Sequence, residues 1–420
     1  MSFQQPRNVQ AVIRVIGVGG GGSNAIDRMI EDGVQDVTFV AINTDAQVLR
    51  SSKADYRICI GERLTRGMGA GGNPTVGEKA AEETNDELYE ILKGTDMVFI
   101  TAGMGGGTGT GAAPIVASIA QDLGILTVAV VTKPFKFEGN KRLQQAERGL
   151  EQLRKYVDAL VVVPNDRLVE AYAKRGISIL QGFQIVDGVL RQGIQGVADL
   201  ITKTGVVNVD FADVKTILAN SGEALMSIGT GAGENRIQQA IEAAMSSPLL
   251  DVEIRGAKRI LLNITSNENI KLSEISEAAN TIESIVDPDA NIIWGSVIDP
   301  NFPADQVKIT LVATGISTFR QKTQLPLRQA PREPEKRVVA PEPQQPKSLG
   351  NDSRDVRDQR PIRPQVTTQP TPPTPPANPP RSGSPLAGGR RGDDSSQRPY
   401  EENPNIMIPP GLRDDLRRKN

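Results

Sequence analysis

The sequence predicts an α/β protein whose first half is built on a parallel sheet. Short apolar runs alternate with helix-like stretches, which is the pattern of successive βαβ units. The runs are apolar at nearly every position, as expected of strands covered on both faces. Two glycine-rich loops directly follow two of the runs. Because the carboxyl ends of parallel strands share one sheet edge, where open sheets bind ligands, we expect a ligand site there.

Five runs form the predicted parallel sheet. They are Val12–Gly17, Val37–Ile42, Met97–Thr101, Thr127–Thr132 and Leu160–Val163. A long pattern follows in which apolar residues recur at spacings of three and four, and it predicts a helix over Ile177–Thr202. At ~1.5 Å per residue this helix is about 39 Å long, so it could act as a strut between two domains.

A second, smaller α/β domain is predicted after this helix. Its helical stretches are Val214–Ser221, Glu234–Ser246 and Leu272–Ile285, and its strands are Arg259–Ile264, Asn291–Ile298 and Val307–Thr314. The predicted boundaries are residues 11–176 for the first domain, 177–202 for the central helix and 203–318 for the second domain. Residues 1–10 are predicted to be a flexible N-terminus.

The composition changes after residue 318. From residue 319 to 402 Pro, Gln, Arg, Ser and Thr dominate, and such a segment buries too little apolar surface to offset its ordering entropy. It is predicted to be a disordered linker. Residues 403–420 regain apolar side chains and then become basic, which favours a docking peptide over a tail without a role. The residues expected to bind a partner are Ile406, Met407, Ile408, Pro409, Leu412 and Arg413.

Composition excludes several classes of function. The net charge of −2 and the 4% aromatic content argue against a nucleic-acid partner. The absence of histidine rules out a Ser-His-Asp device and argues against a zinc site. The single cysteine, Cys59, lies in a strand-like run and cannot form an internal disulfide. With no apolar run of ~18 residues and no signal-peptide pattern, we expect a cytoplasmic protein without direct membrane insertion.

The first glycine-rich loop is Gly17–Asn24, between a strand and a helix-like run over Ala25–Glu31. Glycines let backbone N–H groups approach phosphate oxygens, and a helix N-terminus adds a favourable dipole. The loop also fits the G-x-G-x-x-G dinucleotide fingerprint, and a plain tight turn is the alternative.

The second loop, Gly103–Gly111, makes a triphosphate more plausible than a dinucleotide, because a dinucleotide enzyme needs only one pyrophosphate loop. A third stretch, Gly67–Pro74, is predicted either to close over the terminal phosphate or to be a mobile surface loop. The ordinary G-x-x-x-x-G-K-[ST] signature is absent. Backbone amides and the hydroxyls of Ser23, Thr108 and Thr110 are therefore expected to hold the phosphates.

The run Gly105–Gly111 resembles the signature of the tubulin/FtsZ family of GTPases. Flanking segments resemble the bacterial cell-division branch of that family: Asn43–Ala46, Thr132–Phe135, Phe137–Gly139 and Asn208–Val214. The likeness extends from Val12 to Gly315 and resumes in the terminal peptide. It implies a tubulin/FtsZ-like fold, with a Rossmann-like GTP-binding domain, a central helix and a C-terminal α/β domain.

The resemblance implies that GTP or GDP is bound, with Mg²⁺ held mainly by the phosphates. It assigns nucleotide contacts to Gly19, Gly20, Gly21, Gly22, Ser23, Asn24, Asn43, Asp45, Gly69, Ala70, Gly71, Gly103, Gly105, Gly106, Gly107, Thr108, Gly109, Thr110 and Thr132. This sequence departs from many relatives at Ser23, which is often Gly, and at Gly188, which is often Asn. Neither departure removes a needed donor or carboxylate.

The same resemblance places Glu138 and Arg142 near the ribose and phosphates, and Asn165, Phe183 and Asp187 against guanine. Without it, Glu138 and Arg142 would be interpreted as a solvated i,i+4 ion pair. Phe183 would be interpreted as a core residue on the apolar stripe of the central helix.

Two carboxylates in the second domain complete the predicted chemistry. From their spacing, Asp210 and Asp213 are a helix N-cap and a first-turn acid. The resemblance instead implies that they are catalytic and act on the nucleotide of the neighbouring subunit. The expected protein is a GTPase that polymerises head to tail, activated by polymerisation. It is expected in the cytokinetic ring at the mid-cell bacterial division site, with membrane-tethering division proteins bound to its C-terminal peptide.

Two other functions remain open at this point. One is a dinucleotide oxidoreductase, with Gly17–Gly22 on the pyrophosphate and Asp45 on the ribose, although the second glycine loop then has no task. The other is a non-enzymatic scaffold whose nucleotide site is only structural.

Overall fold

One ten-stranded sheet runs through the part of the chain that the structure describes. The computed structural model describes residues 11–172, 176, 178–203, 205, 207–247, 254 and 256–316. The predicted flexible N-terminus, the linker over 319–402 and the docking peptide over 403–420 lie outside these residues. The strands are β1 (Ile13–Val18), β2 (Thr38–Asn43), β3 (Tyr56–Cys59), β4 (Met97–Gly103), β5 (Leu126–Lys133), β6 (Ala159–Pro164), β7 (Gly222–Ala232), β8 (Arg259–Ser266), β9 (Asn291–Ile298) and β10 (Gln306–Thr314).

Helices cover both faces of this sheet. They are α1 (Gly19–Glu31), α2 (Ala46–Ser51), α3 (Glu62–Thr65), α4 (Pro74–Glu83), α5 (Asn85–Leu92), α6 (Thr108–Asp122), α7 (Asn140–Leu153), α8 (Asn165–Tyr172), α9 (Ile179–Thr202), α10 (Phe211–Leu218), α11 (Arg236–Met245) and α12 (Leu272–Glu283), with a 3-10 turn at Lys136–Glu138. Among the helices of the described ranges, none is both long and apolar enough to cross a bilayer.

The strand order is β3-β2-β1-β4-β5-β6-β7-β10-β8-β9. Strands β1 to β6 pair in parallel, which confirms the predicted parallel sheet. The sheet continues into the second half through only three residue pairs between β6 and β7. There β10 runs antiparallel to both of its neighbours, and β8 and β9 are parallel. The predicted domain boundaries stay a prediction.

Three apolar clusters hold these layers together. One lies between the sheet and the helices α1, α9 and α10, and includes Phe99 and Ile194. A second lies on the opposite face, where α4, α5, α6 and α7 pack, and includes Ile100 and Leu150. The third joins α11 and α12 to β7, β8 and β10. Because both faces of β1, β2, β4, β5 and β6 are covered, these strands are apolar at almost every position, as the sequence predicted, whereas the edge strand β3 exposes Tyr56 and Arg57.

The central helix is confirmed as α9. It begins at Ile179, and Ile177, the first residue of the predicted helix, lies outside the described residues. Ser178 forms a capping box with Gln181: its Oγ accepts the Gln181 N–H at 3.2 Å, and Gln181 Oε1 accepts the Ser178 N–H at 2.8 Å. The 24 residues of α9 make it about 36 Å long.

Strand β7 is an element that the sequence analysis missed. Its glycines weaken the usual strand pattern, yet the packing of α11 requires them. A Cβ on Gly229 would lie 1.9 Å from the carbonyl oxygen of Ala240, and one on Gly231 would lie 1.8 Å from that of Arg236. The backbone of α11 approaches β7 so closely that only glycine fits at these positions. A β-branched residue there would have made the strand recognisable in the sequence.

Candidate functional site

The first glycine loop is itself the start of a helix. Helix α1 begins at Gly19, earlier than the predicted start at Ala25, although Gly19 itself has a left-handed φ of +73°. Its N-cap residue, Val18, makes no side-chain cap hydrogen bond, and the first turn contains no acidic residue. The N–H groups of a first helical turn have no intrahelical acceptors, so this end is suited to an anion.

Two hydroxyl groups fix the second glycine loop between β4 and α6. Thr110 Oγ1 accepts the N–H of Gly105 at 2.8 Å. The hydroxyls of Thr108 and Thr44 form a buried hydrogen bond of 2.7 Å. The sequence analysis assigned no role to Thr44, although it lies inside one of the family-like segments. The geometry makes it a support for the loop.

The glycine loops lie against each other. A Cβ on Gly19 would be 2.8 Å from the backbone nitrogen of Gly109, and one on Gly21 would be 3.3 Å from Gly103 Cα. A Cβ on Gly107 would be 2.8 Å from the side chain of Ala70, which belongs to the third loop. Side chains larger than hydrogen would force the loops apart, so the three loops form one surface. The expectation that they share one edge of the sheet is confirmed.

Twelve buried side-chain polar atoms of the described residues have no hydrogen-bond partner, and three of these belong to the first loop or to the ends of β4 and β6. These three are Ser23 Oγ, Thr101 Oγ1 and Asn165 Oδ1. Buried polar groups are almost always hydrogen-bonded, so unpaired ones call for an explanation. A bound polar ligand would supply the partners. Thr101, at the end of β4, was not among the predicted site residues.

Asn43, Asp45 and Thr132 lie where β2 and β5 end. Asn43 Oδ1 accepts the Asp45 N–H at 3.2 Å, and Asp45 Oδ1 accepts the Gln47 N–H at 2.9 Å, which caps α2. The carbonyl oxygen of Thr132 accepts the Met104 N–H at 2.9 Å. These residues therefore hold the connections that flank the glycine loops.

Helix α9 carries two of the residues predicted to contact the base, Phe183 and Asp187. Phe183 is 40% exposed and is not a core residue. Its ring packs edge-on against Phe135, with centroids 5.3 Å apart. Asp187 is buried, and Arg28 Nε lies 2.8 Å from its carboxylate. Arg28 was not predicted, because nothing local to α1 indicates a partner that is distant along the chain.

The buried carboxylate is electrostatically unusual. Burial raises the pKa of Asp187 to about 6, and the nearby Arg28 guanidinium opposes this shift only in part. An ionised carboxylate in this position is under-solvated, so neutral N–H donors of a ligand would stabilise it.

Glu138 and Arg142 form the predicted i,i+4 ion pair. Glu138 also accepts the Phe135 N–H through Oε1 at 2.9 Å, which closes the 3-10 turn. The Glu138 side chain is 14% exposed and that of Arg142 is 51% exposed, so only the carboxylate of the pair is shielded from solvent.

Asp210 and Asp213 lie on a different element, α10. Asp210 occupies the predicted N-cap position but makes no side-chain cap hydrogen bond, and Asp213 lies in the first turn. Both are exposed, and neither carboxylate has a protein partner within the described residues. Helix α10 packs against β5, β8 and β9. The structure thus collects most predicted nucleotide contacts around the glycine loops, while the two acids lie on a separate helix.

Two family models match the chain. The GTPase domain of the tubulin/FtsZ family matches residues 12–173, and the C-terminal domain of the FtsZ family matches residues 222–317. Among solved structures, the empty FtsZ dimer of M. jannaschii is 46% identical, over 74% of this chain and 90% of that chain, with a TM-score of 0.71.

Two structures from Haloferax volcanii share the fold at lower identity. The GDP-bound CetZ1 monomer is 23% identical over 73% of this chain and 94% of that chain, with a TM-score of 0.64. The GTPγS-bound CetZ2 protofilament is 20% identical over 72% of this chain and 93% of that chain, with a TM-score of 0.61. The matched domains and the 46% identity decide against the dinucleotide oxidoreductase. The chain belongs to the tubulin/FtsZ family of GTPases.

Proposed function

We propose that this chain hydrolyses GTP in a head-to-tail polymer, in which Asp210 and Asp213 of one copy complete the site of the next. Membership of the family supports GTP binding, GTPase activity and filament formation in general. The observation that carries the shared site is that both acids are exposed, unpartnered in the described part of the chain, and on α10 instead of beside the loops.

Phosphate binding is the task of the two glycine loops. Residues 20–24 and 105–110 would hold the triphosphate through backbone N–H groups at the starts of α1 and α6. Phosphoryl transfer depends mainly on positioning and on stabilising charge, so a preorganised set of donors supplies much of what the reaction needs.

Guanine recognition would fall to Asn165, Phe183 and Asp187. The Asp187 carboxylate would accept hydrogen bonds from the N1–H and 2-amino groups of the base, while the exposed ring of Phe183 stacks on it. Adenine lacks both donors, so the buried carboxylate would stay under-solvated with ATP. This difference favours GTP.

The donor set fits a Mg²⁺ ion held mainly by phosphate oxygens. Within the described residues, no group of three or more Cys, Asp or Glu side chains is arranged to hold a metal. Mg²⁺ commonly keeps several waters and binds through substrate phosphates. When bound, it neutralises charge on the phosphates.

The path of the chain supports assigning the acids of α10 to a neighbouring copy, because the 15 residues of α9 from Asp187 to Thr202 span about 22 Å and carry the chain away from the predicted base contacts before α10 begins. The turn that follows α10 is bound by Asp158, directly before β6, whereas Asn165 directly follows β6. The two ends of a six-residue strand are about 20 Å apart. The C-terminal end of α10 and the predicted nucleotide contacts therefore lie at opposite edges of the sheet.

A site that is completed by two subunits requires polymerisation. In the neighbouring site, the two carboxylates would polarise the attacking water and help to hold the cation. Contact between unlike faces of identical subunits generates an open filament. Loss of the γ-phosphate then removes a group that both subunits contact, and the joint weakens.

We also propose that the filament forms the cytokinetic ring at the mid-cell division site, in the cytoplasm. The terminal peptide Ile406–Leu412 would bind membrane-tethering division proteins, helped by the basic residues that follow. A pull-down with and without residues 406–420 tests this, and unchanged partner binding after the deletion would contradict it.

A concentration series tests the shared site. GTP turnover per molecule should be near zero in dilute protein and should rise steeply above a threshold concentration, where sedimentation detects polymer with GTP and not with GDP. Turnover per molecule that is the same in dilute monomer would overturn the proposal. Polymer without phosphate release would favour the scaffold.

A further inference from the structure

We infer that Asp158 and Arg259 are positioning residues, which hold the C-terminal end of α10 so that Asp210 and Asp213 at its other end meet the neighbouring nucleotide in register. The inference rests on the proposed function, since it concerns how the acids of one copy are aimed at the next. Neither residue touches the nucleotide site.

Asp158 binds the turn after α10 with two of its three oxygen atoms and β5 with the third. Its Oδ1 accepts the N–H of Asn220 at 3.0 Å, and its Oδ2 accepts the N–H of Thr127 at 2.9 Å. Its carbonyl oxygen accepts the N–H groups of Ser221 and Gly222 at 2.8 and 2.9 Å. One residue thus ties the turn to the starts of β5 and β6.

The same turn contains a residue in a left-handed backbone conformation, which asparagine tolerates better than most residues. Asn220 has a φ of +49°, in the left-handed region that residues other than glycine seldom adopt. Such a conformation persists only where the surroundings determine it, and the hydrogen bond from the Asn220 N–H to Asp158 is one of those determinants.

Arg259 also binds the end of α10. From the first position of β8, its guanidinium lies 3.2 Å from the carbonyl oxygen of Ala219 and 3.4 Å from those of Thr216 and Ile217. The last carbonyls of a helix lack intrahelical donors, and a cation there also complements the helix dipole. Helix α10 is therefore held between the two halves of the molecule.

The start of α10 has no side-chain hydrogen bonds of this kind, although Val209 beside it is buried in the core and Phe211 packs against the same core. The Asp210 side chain forms no cap bond, and the buried residues of the helix are Val214, Ile217 and Leu218, toward its end. The helix has eight residues and is about 12 Å long, so a tilt of ~5° at the anchored end moves the acids by about 1 Å. A displacement of that size costs up to ~100-fold in rate when it affects reacting groups.

The test compares filaments of Asp158→Ala, Asp158→Asn and Arg259→Gln with wild type, as phosphate released per sedimented subunit at saturating GTP. We expect about tenfold slower turnover for Asp158→Ala and about threefold for Asp158→Asn, which keeps one acceptor, with Arg259→Gln in the same range. GTP affinity and the sedimented mass should not change.

Matched controls separate positioning from general stability. Asp96 precedes β4 as Asp158 precedes β6, and its Oδ2 accepts the Val12 N–H at 2.8 Å. Arg57 donates to the carbonyl oxygen of Ser52, which caps the end of α2. Asp96→Ala and Arg57→Gln remove the same kinds of bond away from α10, so their filaments should turn over GTP like wild type.

The outcomes distinguish the two proposals. If wild-type turnover does not depend on concentration, the proposed function fails and the positioning role fails with it. If wild type behaves as proposed but Asp158→Ala and Arg259→Gln filaments match their controls, only the positioning role is wrong. A parallel loss of sedimented mass and total turnover, with an unchanged rate per subunit, would also contradict it. Should Asp158→Ala fail to fold, Asp158→Asn and Arg259→Gln decide the question.

Discussion

The glycine loops and the start of α10 are built in opposite ways. The loops pack on each other so tightly that added Cβ atoms at Gly19, Gly22 or Gly107 would overlap neighbouring atoms, and Thr44 and Thr110 fix them further. The start of α10 presents two exposed carboxylates that have no side-chain partner in the described part of the protein.

Under the proposed function, this difference separates nucleotide binding from catalysis. A site made of packed backbone is complete within one chain and can bind phosphates without a partner. Asp210 makes no side-chain cap bond, so its carboxylate adds no hydrogen bond to the start of its own helix. The comparison predicts that substitutions at the loops affect nucleotide affinity, whereas substitutions at α10 affect turnover alone.

The strongest test of the comparison is Asp213→Ala. Removing a charge that acts on the transition state should slow GTP turnover by at least ~100-fold. GTP affinity, measured by equilibrium titration of dilute protein, should be unchanged. Asp86→Ala is the matched control, because Asp86 is also an exposed acid in a first helical turn, that of α5. Lost GTP binding in Asp213→Ala would place the acid in its own site and break the comparison.

Alanine substitutions in the first loop test the predicted role of the glycine loops in nucleotide binding. A Cβ on Gly20 meets no protein atom within 4 Å, whereas a Cβ on Gly22 would lie 2.4 Å from the carbonyl oxygen of Thr101. We expect Gly20→Ala to keep the Tm of the nucleotide-free protein and to lose about tenfold in GTP affinity, because the methyl group occupies ligand space. Gly22→Ala should lower stability by about 1–3 kcal/mol. Unchanged affinity in Gly20→Ala would show that the phosphates lie elsewhere.

The pKa of Asp187 predicts a pH dependence of binding that the acids of α10 should not share. Guanine recognition needs the ionised carboxylate, and its pKa is raised to about 6 by burial. GDP affinity, measured calorimetrically, should fall by up to about tenfold per pH unit below that value. Asp187→Asn should bind weakly at every pH and lose this slope. A flat wild-type profile between pH 7 and pH 5 would contradict the assignment.

The same shift affects stability with a defined sign. The native state holds the Asp187 proton more tightly than the unfolded chain, in which the pKa of this carboxyl is 3.8. The nucleotide-free protein should therefore lose part of its free energy of unfolding as pH rises from about 4 to about 6. Denaturant melts of wild type and Asp187→Asn at both ends of this window measure the contribution.

The smallest expected effect concerns the hydroxyl pair under the second loop. Thr44→Val removes the hydrogen bond to Thr108, which is worth about 1 kcal/mol, so GTP affinity should fall by no more than about fivefold. Thr281→Val removes a hydroxyl bond on α12 and should leave affinity unchanged. Equal affinities for the two variants would mean that Thr44 does not support the loop.

Local patterns were sufficient for much of the fold and of the candidate site. The strands β1, β2, β4, β5 and β6 are apolar on both faces because both faces are covered, so their sequences predict them directly. The glycine loops follow strand ends, and the sheet topology brings those ends together. Residues such as Gly105 and Thr108 could therefore be placed before any coordinates.

Other features depend on contacts between residues far apart in the chain. The ion pair between Arg28 and Asp187, and the burial that raises the pKa of that carboxyl, arise only when α1 and α9 pack together. Strand β7 was missed because α11 selects glycine on its surface. The early start of α1 was missed because glycine carries little helix preference.

The sequence by itself determined the parallel sheet, the glycine loops, the central helix and the resemblance that named the acids, because each is written in neighbouring residues or in a regular period. Only the tertiary structure decided which polar atoms stay unpaired, how Asp187 is charged, and that Asp158 and Arg259 grip the end of α10. Burial and long-range hydrogen bonds are properties of packed elements, so no local pattern encodes them.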